Sequence, residues 1–223
     1  MKKILFLTAI ALISAACGNS TEVKNSAANA PSANANAANS QTVSEPPVKE
    51  EVFTAGADPR ADLISAAQKR QKLPFWSAKV TSETNSVVNA EMEYIAPDRY
   101  RFKLLSGEVI VIGNDTYSNE DGKWEKDDEG AGDNIKEQIT MGITEGAKNL
   151  KDVQIVGKEK VNGKDATVYL HKFGDISTKV WIANDSGLEL KNEVVANIGG
   201  KVQKQMTVYD YDKKISIEAP KID

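Results

Sequence analysis

"RYRFKL", residues 99–104, alternates a basic and an apolar side chain through three full periods. Successive strand residues point to opposite faces, so Tyr100, Phe102 and Leu104 share one face and Arg99, Arg101 and Lys103 the other. A strand with one dry and one wet face belongs to an antiparallel sheet covered on one side. The neighbouring segments repeat the signal. "FWSAKVTSET" (75–84) sets Trp76, Ala78 and Val80 against Ser77, Lys79 and Thr81. Further strands are expected over 87–95, 108–113, 116–119 and 123–126. The turn pairs Pro97-Asp98, Ser106-Gly107, Gly113-Asn114 and Asp121-Gly122 separate them.

Upstream, Asp58-Pro59 opens a helix, because Asp caps a helix N-terminus well and Pro suits the first helical position. Leu63, Ile64 and Ala67 form its apolar stripe, and Leu73-Pro74 ends it. Downstream, an acidic, glycine-rich stretch (127–134) precedes Ile135, Ile139, Ile143, Ala147 and Leu150 at helical spacing. Gly142 and Gly146 weaken this central helix by about 1 kcal/mol each relative to Ala. Strands resume over 153–160, 165–173, 178–184, 188–197, 201–211 and 215–218, with Asn162-Gly163 the strongest hairpin signal among them. "ATVYLHKF" (166–173) and "TKVWIA" (178–183) are apolar on both faces. Pairing around Gly174-Asp175 would set Tyr169 near Trp181 and Leu170 near Val180, and alternation leaves open which face points inward. The expected fold is mainly β (α+β): a strongly curved antiparallel half-barrel of about ten strands. An N-terminal helix and a central helix cover its concave face.

The domain occupies 57–223, a size that supports an ordinary core. Residues 18–56 are rich in Asn, Ala, Ser and Pro and nearly lack large apolar residues. Such a segment cannot offset its chain entropy by burial and reads as a disordered tether. Residues 1–16 pair Lys2 and Lys3 with a short apolar run and small residues, as a secretory leader does. That run is too short to span a bilayer, which takes about 20 apolar residues. It breaks off at Cys17, the sole cysteine, which therefore has no disulfide partner. A signal whose small residues end on cysteine resembles the bacterial lipoprotein type, in which the thiol is acylated and becomes the mature N-terminus. Ser14 stands where that type prefers Leu. The alternative is ordinary cleavage near Ala15-Ala16. The expected location is outside the cytoplasm, lipid-anchored at the periplasmic face of the outer membrane, with residues 17–56 as lipidated N-terminus and tether.

The net charge is −4, and losing Lys2 and Lys3 with the leader takes it to −6. That balance argues against nucleic acid and offers no basic patch. No hydrolase, zinc-protease or P-loop motif occurs, and His171 stands alone, so no enzyme activity, cofactor or catalytic residue is expected. Asp127, Asp128, Glu129 and Asp133 could hold calcium, but EF-hand spacing is missing and a solvated acidic loop is preferred, so no metal is expected either. A monomer is expected.

"LISAAQKRQKLPFWSAKVTSET" (63–84) resembles the first helix and strand of the LolA/LolB-like superfamily. "EYIAPDRYRFKLLSGEVIVIGNDTYSNEDGKWEK" (93–126) resembles its central strands, and "ISIEAPKID" (215–223) its final strand. That superfamily includes periplasmic lipoprotein carriers, their anchored outer-membrane receptors, actinobacterial glycolipid-binding lipoproteins and the sensing domain of an envelope-stress regulator. The resemblance implies a hydrophobic cavity lidded by helices. Trp76, Val80, Met92, Tyr94, Tyr100, Phe102, Leu104, Val109 and Val111 would supply one wall, and Ile135, Ile139 and Ile143 the lid. The other reading of these residues is plain core. Arg99 and Arg101 could meet a lipid phosphate or simply form the wet face of their strand. In LolA an Arg just before the strand-opening Pro holds the lid closed; here that position is Ala96. The implied function is a lipid-anchored binding protein or carrier for lipids or the acyl chains of lipoproteins. An envelope sensor or protein-interaction module without carried lipid is the alternative.

Overall fold

The computed structural model describes residues 53–82, 90–127, 137, 146 and 150–222. Helix α1 (Pro59–Gln71) begins as expected: the Asp58 carboxylate accepts from the Arg60 and Ala61 amides at 3.1 and 3.0 Å, and Pro59 takes the first turn. Its buried side is Asp62, Leu63 and Ala66, whereas Ile64 and Ala67 are only half-buried. The stripe is rotated from the expected one because Asp62 is drawn inward. Its carboxylate accepts the Gly56 amide at 2.6 Å and the Tyr169 hydroxyl at 2.7 Å.

Eleven strands follow: β1 (Phe75–Ser82), β2 (Ala90–Ile95), β3 (Arg99–Leu104), β4 (Gly107–Ile112), β5 (Asp115–Glu120), β6 (Lys123–Asp127), β7 (Gln154–Val161), β8 (Lys164–Phe173), β9 (Ile176–Ala183), β10 (Glu189–Ile198) and β11 (Lys201–Asp210). They form one sheet in the order β6-β5-β4-β3-β2-β1-β11-β10-β9-β8-β7, antiparallel throughout. The two meanders meet at the β1–β11 pair, and the sheet stays open at β6 and β7. This is the curved half-barrel with a helix. At the Asp121-Gly122 and Asn162-Gly163 turns both residues have positive φ (56° and 82°; 50° and 81°). That is the backbone a two-residue hairpin loop requires, and Asn, Asp and Gly adopt it at least cost. At Gly107 an added Cβ would lie 2.1 Å from the Asn119 carbonyl oxygen, so only glycine lets β4 start against β5.

Register divides the sheet into an inner face, on which α1 lies, and an outer one. On the inner face Leu63 and Ala66 of α1 pack with Tyr169, Val180 and Ile182. Trp76, Ala78, Met92, Tyr94, Tyr100, Phe102, Val109, Val111 and Tyr209 form a second inner cluster across β1–β4 and β11. The outer face has its own apolar groups: Val161, Ala166, Val168, Trp181, Ala183 and Leu190 at one side, and Ile110, Tyr117 and Ile217 at the other.

Three further expectations change. Tyr169 pairs with Val180 and Val168 with Trp181, one residue away from the expected register. Phe173 pairs directly with Ile176 across the two-residue turn, and that places Tyr169 and Trp181 on opposite faces. Residues 215–218 are not a strand. The sheet position beside β1 is taken by β11, so the C-terminal segment crosses the outer face instead. There Ile217 packs on Ile110 and Tyr117, and its carbonyl accepts from the Arg99 guanidinium at 2.7 Å. The strand count is eleven rather than about ten. Of the central segment, Glu137 and Gly146 are helical; Ile135, Ile139 and Ile143 lie outside the described residues.

Candidate functional site

The nine wall residues proposed from the sequence share the inner face. Trp76 faces Tyr94, Ala78 faces Met92, Met92 faces Phe102, and Tyr94 faces Tyr100. Val111 and Val109 continue the rows behind Tyr100 and Phe102. Val80 opposes Ala90, and Leu104 ends the row opposite Gly107. Eight are buried, Phe102 to 2 % and Val111 to 0 % exposure, and Leu104 is half-buried. Their rings run as a ladder: Trp76–Tyr94 at 5.6 Å, Tyr94–Tyr100 at 5.1 Å and Tyr100–Phe102 at 6.3 Å between centroids. Tyr209 of β11 adds a ring 6.0 Å from Trp76. Such tilted and offset pairs contribute about 0.5–1.5 kcal/mol each beyond area burial. Burial, foremost, pushes the Tyr100 phenol up to about 12, so it stays neutral at any physiological pH. The hydroxyls of Thr116 and Thr178, buried on the same face, have no hydrogen-bond partner among the described residues.

Sequence reasoning missed the polar centre of that face. Arg70, near the end of α1, reaches Glu189 of β10 at 2.5 Å, with the two side chains 15 % and 10 % exposed. Its guanidinium carbon lies 4.5 Å from the Tyr209 ring centroid and 5.8 Å from that of Trp76. Asn192 donates to the other Glu189 oxygen at 2.7 Å, and the Tyr211 hydroxyl donates to the Glu189 carbonyl. A signal did exist: Leu63, Ala66 and Arg70 recur at helical spacing, which puts the guanidinium on the buried side of α1. His171 is half-buried on the inner face opposite Thr178. Burial lowers its pKa against the opposing pull of Glu189.

Arg99 and Arg101 point to the outer face. Arg99 holds the C-terminal segment, as above. Arg101 lies 2.9 Å from Glu93 and 3.1 Å from Glu108. Burial would raise the Glu93 carboxyl, but Lys213 at 2.8 Å and Arg101 outweigh it and hold it below the usual range. An outer-face cavity of about 180 Å³ sits beside this network, lined by Lys79, Glu91, Glu93, Asp210 and Lys213 among others. Its charged lining does not suit an acyl chain. Ala96 is exposed in the β2–β3 turn. Cys17, Asp128, Glu129 and Asp133 lie outside the described residues, and Asp127 ends β6. Among the described residues no helix is long and apolar enough to cross a membrane.

The open antiparallel half-barrel with an apolar inner face and a helix laid on it is the fold that the short motifs implied. Solved structures share it, among them two that align over nearly their whole length. The lipoprotein LppX of Mycobacterium tuberculosis superposes with a TM-score of 0.55 at 13 % identity, over 72 % of this chain and 98 % of LppX. LprF of Mycobacterium bovis superposes with a TM-score of 0.53 at 10 % identity, over 73 % of this chain and 96 % of LprF. Identities this low establish a common fold. No family model matches the chain, and no curated protein matches it in sequence.

Proposed function

We propose that this chain is an exported, lipid-anchored protein that binds lipids, or the acyl chains of lipoproteins, against the inner face of its half-barrel. The observation that carries this reading is the wall itself: nine apolar side chains from four consecutive strands on one face, without a charged residue among them. Binding of acyl chains needs such a surface, because it is driven by area removed from water at roughly 25 cal/mol per Å². The partnerless hydroxyls of Thr116 and Thr178 support it further, since they can meet the ester or hydroxyl end of a ligand. Ile135, Ile139 and Ile143 are proposed as the lid, and Cys17 as the anchor at the periplasmic face of the outer membrane. Residues 17–56 then serve as tether. The protein acts as a monomer without catalysis.

Titration with an apolar fluorescent dye tests the wall. Phe102→Asp places a charge that is costly to desolvate there, and binding should be lost. Leu104→Asp, at the half-buried end of the row, should weaken binding without unfolding the domain, as checked by circular dichroism. Unchanged binding by folded Leu104→Asp and Phe102→Asp proteins would put the ligand elsewhere. The second reading, an interaction module that carries no lipid, draws on the same low exposure: side chains already covered can be packed core.

A further inference from the structure

We propose that one end of the sheet is a membrane-contacting rim, formed by the tips of the β8–β9 and β10–β11 hairpins and docking on an anionic bilayer. The inference extends the lipid-binding reading without depending on the wall. Seven large apolar residues are exposed among the described residues. Three of them sit on these two adjacent tips: Phe173 (41 %), Ile198 (49 %) and Val202 (61 %). Register puts the two tips at the same end, because Ile176, beside the first turn, pairs with Ala196, beside the second. Leu105, 71 % exposed in the β3–β4 turn, belongs to the same end. The opposite end carries the turns at Pro97-Asp98, Gly113-Asn114, Asn162-Gly163 and Asp185-Ser186, and none of the exposed large apolar residues of the strands and their turns.

Although the chain as a whole is acidic, the charge at these two tips selects the occupant. Lys172 precedes Phe173 and Lys201 precedes Val202; both are exposed and neither makes an ion pair among the described residues. Asp175 is the one acid in these two turns. Isolated exposed apolar side chains need no explanation, but a group at one end flanked by lysines fits an interface between headgroups and acyl chains. There the rings and branched chains enter the apolar layer while the lysines extend to phosphates.

Chain geometry agrees. Phe53, where the described chain begins, lies against Gly187 in the β9–β10 turn, at the end opposite the rim. The proposed tether would therefore join the domain at that opposite end. A ten-residue strand spans about 33 Å, and a flexible coil of residues 17–52 averages about 33 Å and extends to about 120 Å. The rim can thus turn back to the anchoring membrane or reach another surface.

The test is flotation of the full chain carrying Cys17→Ser, which has no thiol to acylate, with vesicles of phosphatidylethanolamine and phosphatidylglycerol. The parent should float with these vesicles, less so at high salt. The triple variant Phe173→Ser, Ile198→Ser, Val202→Ser should bind about tenfold more weakly or worse, since its apolar anchors are gone. Ile222→Ser, an exposed apolar site elsewhere, should bind as the parent does. Apolar-dye binding should be unchanged in the triple variant, which separates failure of the rim from failure of the wall. Equal flotation of parent and triple variant, or no flotation of the parent, overturns the rim. So does a parent dimer that the triple substitution splits into monomers, which would make the occupant a second copy of this chain.

Discussion

Arg70 holds the end of α1 to the sheet through Glu189 and the faces of Tyr209 and Trp76. Its replacement by Met would leave the Glu189 carboxylate mostly buried with Asn192 as its remaining side-chain donor. We expect Arg70→Met to lower unfolding free energy by about 3 kcal/mol, the low end for a pair that is not fully buried. Urea denaturation measures it, and a loss under about 0.5 kcal/mol, the ordinary surface value, would mean the pair is not structural. Tyr169→Phe removes a donor from buried Asp62 and should cost about 1–3 kcal/mol in the same assay. His171 sets a pH dependence. Its folded-state pKa is lowered, so the unfolded chain binds the proton more readily. Its contribution is present above the unfolded value of about 6.5 and lost as pH falls below it. Melting temperature should drop between about pH 7 and 5 more steeply in the parent than in His171→Gln. Parallel curves would contradict the assignment.

Among the elements, strands with one wet face were readable and strands with two dry faces were not. Arg99–Leu104 and Phe75–Ser82 alternate because water bathes their outer side chains in part, so pattern and structure agree. In β8 and β9 both faces are covered. Tyr169 and Ile182 lie under α1, while Val168 and Trp181 join the outer cluster with Leu190. Alternation vanishes there, and register rested on turn length alone, where one residue of error reverses every side chain. The shared inner face of the nine residues was legible because they fall on the readable strands. The Arg70–Glu189 centre was not, because charged residues on a helix ordinarily signal solvent. The C-terminal segment alternates like a strand but packs across a face, since no edge beside β1 is free for it. For the proposed lid, Ala96 cannot donate the hydrogen bonds that an Arg could. Amides of 134–150 should therefore exchange with solvent far faster than those of β3 in ligand-free protein. Equal, strong protection of both would show a closed lid held by other contacts.

In the whole molecule, the proposed membrane anchor and tether precede an apolar half-barrel in one chain. The anchor makes its own prediction. Two or more acyl chains on Cys17 give stable attachment at about 0.8 kcal/mol per buried CH₂. Cys17→Ser should leave the exported protein soluble, and a wild-type protein found wholly soluble would contradict acylation. α1 lies against β8–β10, while the ring ladder of β1–β3 lies on the other half of the inner face. The claim that this inner face holds acyl chains is tested most directly by native mass spectrometry of the protein purified from its own envelope in mild detergent. The account predicts a bound species of lipid mass in addition to any acyl groups on Cys17, lost on delipidation and absent from the Phe102→Asp protein. A wild-type protein that carries its Cys17 acyl groups and no further lipid would contradict it.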